Sequence, residues 1–283
     1  MSATPLPTFK KPPVTEVVVS AQFDPLPGFL TSHFGLIWQR FRSSYPKLEE
    51  HPVLSSAFER LGTRSPMNTI QFQVSNQPGA RAWFVNESGD QLVQVQNDRF
   101  IRNWRAMSKS SNPYPRWDEH VLPRFLAEFD LFREALNVEG LGAPNVNQLE
   151  VTYINHIWLN DFWKTHGDLH RLLRWWAGGT LDGLPVEAIN LQAIHQIANK
   201  SGDFLGRLHV TMQSGVGRPQ PGSAEEKGLF VLSLTARGKP DGEGDPGIRR
   251  YLDIGHAAIV SSFEKMTTDE AHNIWQKQLS ATH

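Results

Sequence analysis

Three arginines spaced three residues apart are the side chains in this sequence best suited to binding an anion. Arg99, Arg102 and Arg105 lie in the polar segment 91–117, with Asn103 between them. A guanidinium offers a planar set of N–H donors that matches a carboxylate or a phosphate. We therefore predict that these four residues bind an anionic part of a ligand. The alternative is that the arginines form ion pairs with acids on neighbouring helices, the commoner arrangement at surfaces.

A second group of polar residues falls on strand faces that are otherwise apolar. Tyr153 and Asn155 follow Leu149 and Val151 on one side of a predicted strand, and His195 continues the apolar side of another. A buried polar group that lacks a hydrogen bond costs about 1–3 kcal/mol. We predict that Tyr153, Asn155 and His195 line a cavity between sheet and helices and orient a ligand. Hydrogen bonding to nearby protein groups alone is the alternative.

Two pairs of residues that contain histidine have spacings that permit chemistry. His166 and His170 are four apart on a predicted short helix, but zinc needs three or four ligands and no matched third ligand follows. Asp253 and His256 are three apart, so the carboxylate could orient the ring for base catalysis. Helix capping and local hydrogen bonding are the alternative for this pair. Because no P-loop, dinucleotide-binding or G-x-S-x-G motif is present, we assign no catalytic residue, no metal and no cofactor.

Composition narrows the class of protein. The chain has 283 residues, with 28 Lys and Arg against 29 Asp and Glu, and it has no Cys. It can bury a large core, and it has no disulfide scaffold or Cys nucleophile. A net charge of −1 argues against a nucleic-acid or membrane partner held by bulk charge, although aromatic and basic residues alternate near Arg99. A transmembrane helix would need a run of about 18 apolar residues, and the sequence contains no such run. We therefore expect a cytoplasmic protein.

The helices and strands that would position these residues occur in the same order twice along the chain. Strand 14–23 is followed by a helix, by strands at 67–75, 81–87 and 91–104, and by a long helix with apolar residues at spacings of three and four (Leu122, Phe125, Phe129, Phe132 and Leu136). The second set has a strand at 148–158, a short helix at 166–177, strands at 187–197, 204–213 and 229–237, and a helical end from 251 to 279 in which Thr267 or Thr268 caps a second segment.

One predicted strand changes the side on which its apolar residues lie. Val93 and Val95 share one side of strand 91–104, whereas Phe100 and Trp104 share the other. A strand changes sides through a bulge, so we predict a bulge at residues 97–99.

The fold class that these patterns predict is α+β, a tandem repeat of strand, helix, three antiparallel strands and helix, with the sheet or sheets covered by the helices. Residues 1–13 form an extended lead-in, 14–139 the first repeat, 140–147 a linker and 148–283 the second repeat, together making one compact body.

The Gly- and Pro-rich loops 215–228 and 238–247 are predicted to be mobile tips, with a functional lid as the alternative.

Several blocks together resemble a sporadically distributed, uncharacterised prokaryotic family over nearly the whole chain. They are PPVTEVVVSAQF, LVQVQNDRFIRNWR, YPRW, LEVTYIN and LDIGHAAIVSSFEKMTTDEAHNIW, in this order. The resemblance implies a bacterial or archaeal cytosolic protein and brings no activity or catalytic residues. The repeated order of elements also resembles the tandem modules of GyrI-like proteins, which bind small molecules in a groove between two repeats.

The leading functional prediction is a binding module that is not an enzyme, with a groove between the repeats for a small anionic or amphipathic ligand. Tyr153, Asn155 and His195 would form its floor, and Arg99, Arg102 and Arg105 its edge. The alternative is a protein-interaction or regulatory component of a mobile-element or defence-associated system, as a monomer or a homodimer. A hydrolase or transferase that uses Asp253 and His256 is the third hypothesis.

Overall fold

An antiparallel sheet of nine strands forms the centre of the computed structural model, which describes residues 6–55, 58–59, 80–107, 114–177, 181, 183–219 and 224–278. Together with a separate pair of short strands, the described residues form eleven strands: β1 (Thr8–Phe9), β2 (Val14–Phe23), β3 (Lys47–Pro52), β4 (Ala80–Val85), β5 (Gln91–Gln96), β6 (Arg99–Arg105), β7 (Val146–Trp158), β8 (Asn190–Ala198), β9 (Phe204–Gly217), β10 (Lys227–Gly238) and β11 (Lys277–Gln278). The large sheet has the order β3-β4-β5-β6-β2-β7-β10-β9-β8, and β1 pairs separately with β11.

The long helices lie on one face of this sheet, here called the helical face. They are α1 (Ser32–Phe41), α2 (Leu122–Val138) and α3 (Gly244–Met266); a π-helical turn, Trp117–Val121, precedes α2, a 3-10 helix spans His166–Arg171, and α4 spans Asp269–Ile274. Phe41 of α1 and Phe132 of α2 both pack on Phe100 of β6, with ring centroids 6.4 and 5.1 Å apart. Gly255 of α3 lies against Ala236 of β10. The helices therefore cover the sheet's apolar side chains.

The opposite side of the sheet, here called the polar face, carries the side chains that alternate with the apolar ones. It contains buried polar residues from neighbouring strands, among them Ser20, Gln22, Gln94, Arg99 and Arg207. The polar face is therefore also partly shielded from water.

The α+β class, with a large antiparallel sheet and covering helices, is confirmed. Strand 14–23 is β2, and Thr268 caps α4 by accepting a hydrogen bond from the Ala271 amide at 3.2 Å. The apolar stripe predicted for α2 is buried, from Leu122 to Leu136. Spacing of apolar residues identified these elements because each has one buried side.

The bulge predicted within strand 91–104 is wrong. That segment forms two strands, β5 and β6, which pair with Gln96 opposite Arg99, so Asn97 and Asp98 are the two residues of a hairpin turn. A turn of this length explains the change of apolar side without any bulge. The first half of the chain also contains β3, which was not predicted, whereas the predicted strand 67–75 lies outside the described residues.

Other predicted boundaries also change. Only residues 166–171 of the predicted helix 166–177 are helical, and as a 3-10 helix. The loop predicted at 238–247 ends sooner because α3 begins at Gly244, and β9 and β10 extend into the loop predicted at 215–228. In the part of the chain that the structure describes, no helix is long and apolar enough to cross a membrane.

Gly206 of β9 permits the close approach of the β10 backbone and of Tyr251 on α3. A Cβ atom at this position would lie 2.2 Å from the Arg237 carbonyl oxygen and 2.8 Å from the Tyr251 hydroxyl. We expect Gly206→Ala to lower the free energy of unfolding in urea by about 2–3 kcal/mol, because backbone atoms cannot move aside as a side chain can. Gly215→Ala is the control, since its Cβ would make an ordinary contact at 3.5 Å. Equal stability of the two variants would contradict this packing.

Candidate functional site

The Arg102 side chain forms an ion pair within the core of the protein. Its side chain is on the helical face and 4% exposed, and its Nε donates to Glu128 Oε2 of α2 at 3.0 Å. Arg124 Nε donates to the other oxygen of Glu128 at 2.9 Å, and Arg102 also donates to the Gln91 amide oxygen. The alternative prediction for the arginines was an ion pair with an acid on a neighbouring helix. Arg102 forms such a pair with Glu128, and this pair is buried.

The other three residues of that group lie on the polar face. Arg99 donates to Gln22 Oε1 at 2.7 Å. Asn103 donates to Glu16 Oε1 at 2.6 Å and accepts from Gln94 Nε2 at 2.8 Å. Arg105 donates to the Gly89 carbonyl at 3.0 Å and lies over the ring of Trp83. Alternation along β6 thus places Arg102 on the side opposite Arg99, Asn103 and Arg105.

A cavity of about 440 Å³ lies on the helical face, where the two central strands β2 and β7 meet α3 and the N-terminal segment. Residues 6–9 form one wall, and this segment is held by pairing of β1 with β11 and by the edge-to-face contact of Phe9 with Phe263, 5.6 Å between centroids. Ile259 and Val260 of α3 add apolar surface, and Leu234 of β10 lines the side of the sheet. Tyr153 and Asn155 both line this cavity, and their binding of a ligand stays a prediction.

A chain of hydrogen bonds between neutral side chains lies along one wall. The Tyr114 hydroxyl donates to the Tyr153 hydroxyl at 3.1 Å, and that hydroxyl is 3.0 Å from Nδ1 of His256. Burial raises the pKa of both tyrosines and lowers the pKa of His256 to about 3. At neutral pH the ring is therefore uncharged, and when Nδ1 accepts from Tyr153 its proton is on Nε2.

Asn155 provides a second polar group at the cavity. Its side chain is 1% exposed, and Nδ2 donates to the Leu232 carbonyl at 3.0 Å. Its Oδ1 is buried and has no hydrogen-bond partner in the structure as described. A ligand or a water that donates a hydrogen bond would remove the cost of this unpaired acceptor.

His195 does not come to the cavity. It lies on β8, at the outer edge of the sheet, where it is exposed and contacts Trp175 with ring centroids 5.7 Å apart. The predicted strand side is correct, but β8 is three strands away from β7, so the floor contains Tyr153 and Asn155 without His195. The cavity lining likewise contains none of Arg99, Arg102 and Arg105.

Asp253 and His256 do not pair with each other. Asp253 accepts a hydrogen bond from Trp117 Nε1 at 2.9 Å, and the Trp117 ring stacks on His256 at 4.4 Å with an angle of 4° between the planes. The carboxylate thus fixes the indole that covers His256. With a pKa of about 3, this ring is too weak a base for efficient general-base catalysis at neutral pH, and its hydrogen-bond partner among the described residues is the Tyr153 hydroxyl rather than a carboxylate.

Sequence reasoning missed Trp117, Tyr114 and Phe9 as residues of the site. The YPRW block contributed to the family resemblance and to the alternation of aromatic and basic residues, and neither pattern indicated a cavity, although its Tyr and Trp both line one. His166, half of the other histidine pair, is bonded through Nδ1 to the Glu187 carbonyl at 2.8 Å. No group of three side chains able to hold a metal occurs among the described residues.

Comparison with known proteins adds no functional assignment. No model of a protein family matches the chain, and no curated protein matches it.

Proposed function

We propose that the protein is a binding protein that is not an enzyme, and that its ligand is a small, neutral, amphipathic molecule held in the 440 Å³ cavity. The observation that carries the proposal is the combination of apolar walls with three buried, uncharged polar side chains: Tyr153, Asn155 and His256. Ligand cavities are typically apolar with a few polar groups that fix orientation. The unpaired Asn155 Oδ1 favours a ligand that donates one hydrogen bond.

The charges around the cavity favour a neutral ligand over an anionic one. Burial keeps His256 uncharged at neutral pH, and the rim carries Asp118 and Glu119 as well as Arg116. An ionic group moved from water into such a place loses hydration without gaining an opposite charge deep in the cavity. The amphipathic ligand of the original prediction is therefore retained, and the anionic one is not proposed for this cavity.

The order of the strands supports a proposal that the chain is a tandem repeat. From the central pair β2 and β7, the sheet runs outward through β6, β5 and β4 to the additional edge strand β3 on one side, and through β10, β9 and β8 on the other. In each half of the chain, the first long strand (β2 or β7) is central in the sheet, and the last strand (β6 or β10) lies beside it. A long helix (α2 or α3) then follows in the chain. The cavity would then lie at the junction of the repeats, in a cytosolic member of the sporadic prokaryotic family.

The proposed ligand class is tested with two dyes that differ by one charge. N-phenyl-1-naphthylamine is neutral with one N–H donor, and 8-anilinonaphthalene-1-sulfonate adds a sulfonate to the same skeleton. We expect saturable fluorescence enhancement with the neutral dye and at least tenfold weaker binding of the sulfonate. Val260→Trp, which fills the cavity, should reduce binding of the neutral dye at least tenfold. Val216→Trp, at a residue that is 66% exposed and outside the cavity lining, is the control.

Undiminished binding of the neutral dye to Val260→Trp would contradict the proposal. So would a preference for the sulfonate. Failure of the wild-type protein to bind the neutral dye would favour the protein-interaction alternative, which the exposed apolar side chains of Trp175, Leu181 and Leu184 support.

A further inference from the structure

A second cavity, of about 270 Å³, lies on the polar face of the sheet, opposite the first. Gln22 of β2, Arg99 of β6 and Arg237 of β10 contribute polar groups to its lining, and Val18, Ile101 and Leu54 contribute apolar surface. Its lining thus combines two positively charged donors and the Glu150 carboxylate with a small apolar area.

Two buried donors in this lining have no acceptor among the residues that the structure describes. Gln22 and Arg99 lie opposite each other on β2 and β6 and are 4% and 9% exposed. Their one mutual hydrogen bond joins an Arg99 terminal nitrogen to Gln22 Oε1. Gln22 Nε2 and Arg99 Nε have no hydrogen-bond partner in the structure as described. Buried donors are nearly always paired, so a bound acceptor is the simplest way to satisfy both.

The charges in this lining leave a positive excess. Arg237 Nε donates to Glu150 Oε2 at 2.6 Å, so these two opposite charges pair. Asp98, next to Arg99 in the chain, accepts from Gln96 Nε2 at 2.8 Å. Within the described ranges, Arg99 donates only to uncharged oxygens, those of Gln22 and the Ser55 carbonyl. The group that would complement Arg99 is therefore an anion.

We propose that this cavity binds a small monocarboxylate with a short apolar body. One carboxylate accepts from both the Gln22 amide and the Arg99 guanidinium, while Val18, Ile101 and Leu54 contact the apolar part. A carboxylate matches a guanidinium better than a spherical anion does, because its two oxygens accept from two N–H groups in one plane. This site is separate from the cavity on the helical face and does not depend on the function proposed for it.

The probe is isobutyrate, with neutral isobutyramide and with chloride at equal ionic strength as comparisons. Side-chain ¹⁵N NMR follows Arg99 Nε–H and the Gln22 amide during titration of the full chain. We expect saturable shifts of both signals with isobutyrate only. Arg99→Gln should weaken binding at least tenfold, whereas Arg105→Gln, on the same strand and face but outside the lining, should leave it unchanged. Val260→Trp should also leave it unchanged, which separates this site from the first.

Three results would overturn the proposal: no saturable shift with isobutyrate, equal shifts with isobutyramide or chloride, or unchanged affinity in Arg99→Gln. If Arg99→Gln does not fold, Gln22→Met provides the same test, because it removes the amide donor and keeps the positive charge. Undiminished affinity in Gln22→Met would then contradict the assigned contacts.

Discussion

Lowering the pH from 6.5 to 3 will destabilise the protein through His256, by up to about 5 kcal/mol. Burial lowers the pKa of this ring from 6.5 to about 3 in the folded protein. Between these values the unfolded chain binds a proton that the folded protein does not, so the free energy of unfolding falls as the pH falls. Each unit of difference in pKa corresponds to about 1.4 kcal/mol. Below pH 3 both states are protonated and this contribution is lost in full.

Urea denaturation at several pH values measures this effect. His256→Phe should show a shallower fall in stability between pH 6.5 and 3 than the wild type, even though it loses the hydrogen bond from Tyr153. The fall will not disappear, because burial also lowers the pKa of His272. His120→Phe, at an exposed position, is the control and should keep the wild-type slope. A slope for His256→Phe equal to that of the wild type would mean that the ring does not lie in the buried position described.

Glu128→Ala will destabilise the protein by about 3–5 kcal/mol at neutral pH. Glu128 accepts hydrogen bonds from Arg102, Arg124 and Tyr45, and Arg102 is 4% exposed. Removing one member of a buried ion pair leaves the other charge without compensation in a medium that solvates it poorly. Asp130→Ala is the control, since its pair with Arg133 on the same helix is exposed and should contribute less than about 1 kcal/mol.

A double variant separates charge from packing. Arg102→Met with Glu128→Leu removes both charges and fills most of the volume, and it should recover much of the stability that Glu128→Ala loses. A double variant as unstable as Glu128→Ala would show that the uncompensated charge of Arg102 is not the cause of the loss. A loss below 1 kcal/mol in Glu128→Ala itself would contradict the buried ion pair.

Local patterns in the sequence identified the parts of the fold whose side chains are buried on one side. The stripe of α2, the β-branched strand β2 and the inward positions of Tyr153 and Asn155 all follow from spacing. The β3 strand, Lys47–Pro52, has almost no apolar residues and is mostly exposed, so alternation gave no sign of it. Its pairing with β4 is a tertiary contact that spacing cannot reveal.

The candidate site could be predicted only in part, because its walls come from distant segments of the chain. Phe9 reaches the cavity through pairing of β1 with β11, across most of the length of the protein. The hairpin turn at residues 97–98 resembles a bulge in sequence. Arg102 was grouped with Arg99 and Arg105 because all three are close in sequence, although alternation along β6 places Arg102 on the opposite side of the sheet.

The most direct test of the central claim is a crystal structure of the protein with N-phenyl-1-naphthylamine bound. We expect the dye to lie in the cavity between α3 and the central strands, with its N–H group within hydrogen-bond distance of Asn155 Oδ1 or with its rings against Trp117 and Val260. A dye that binds only on the outer surface, while this cavity contains nothing but water, would contradict it.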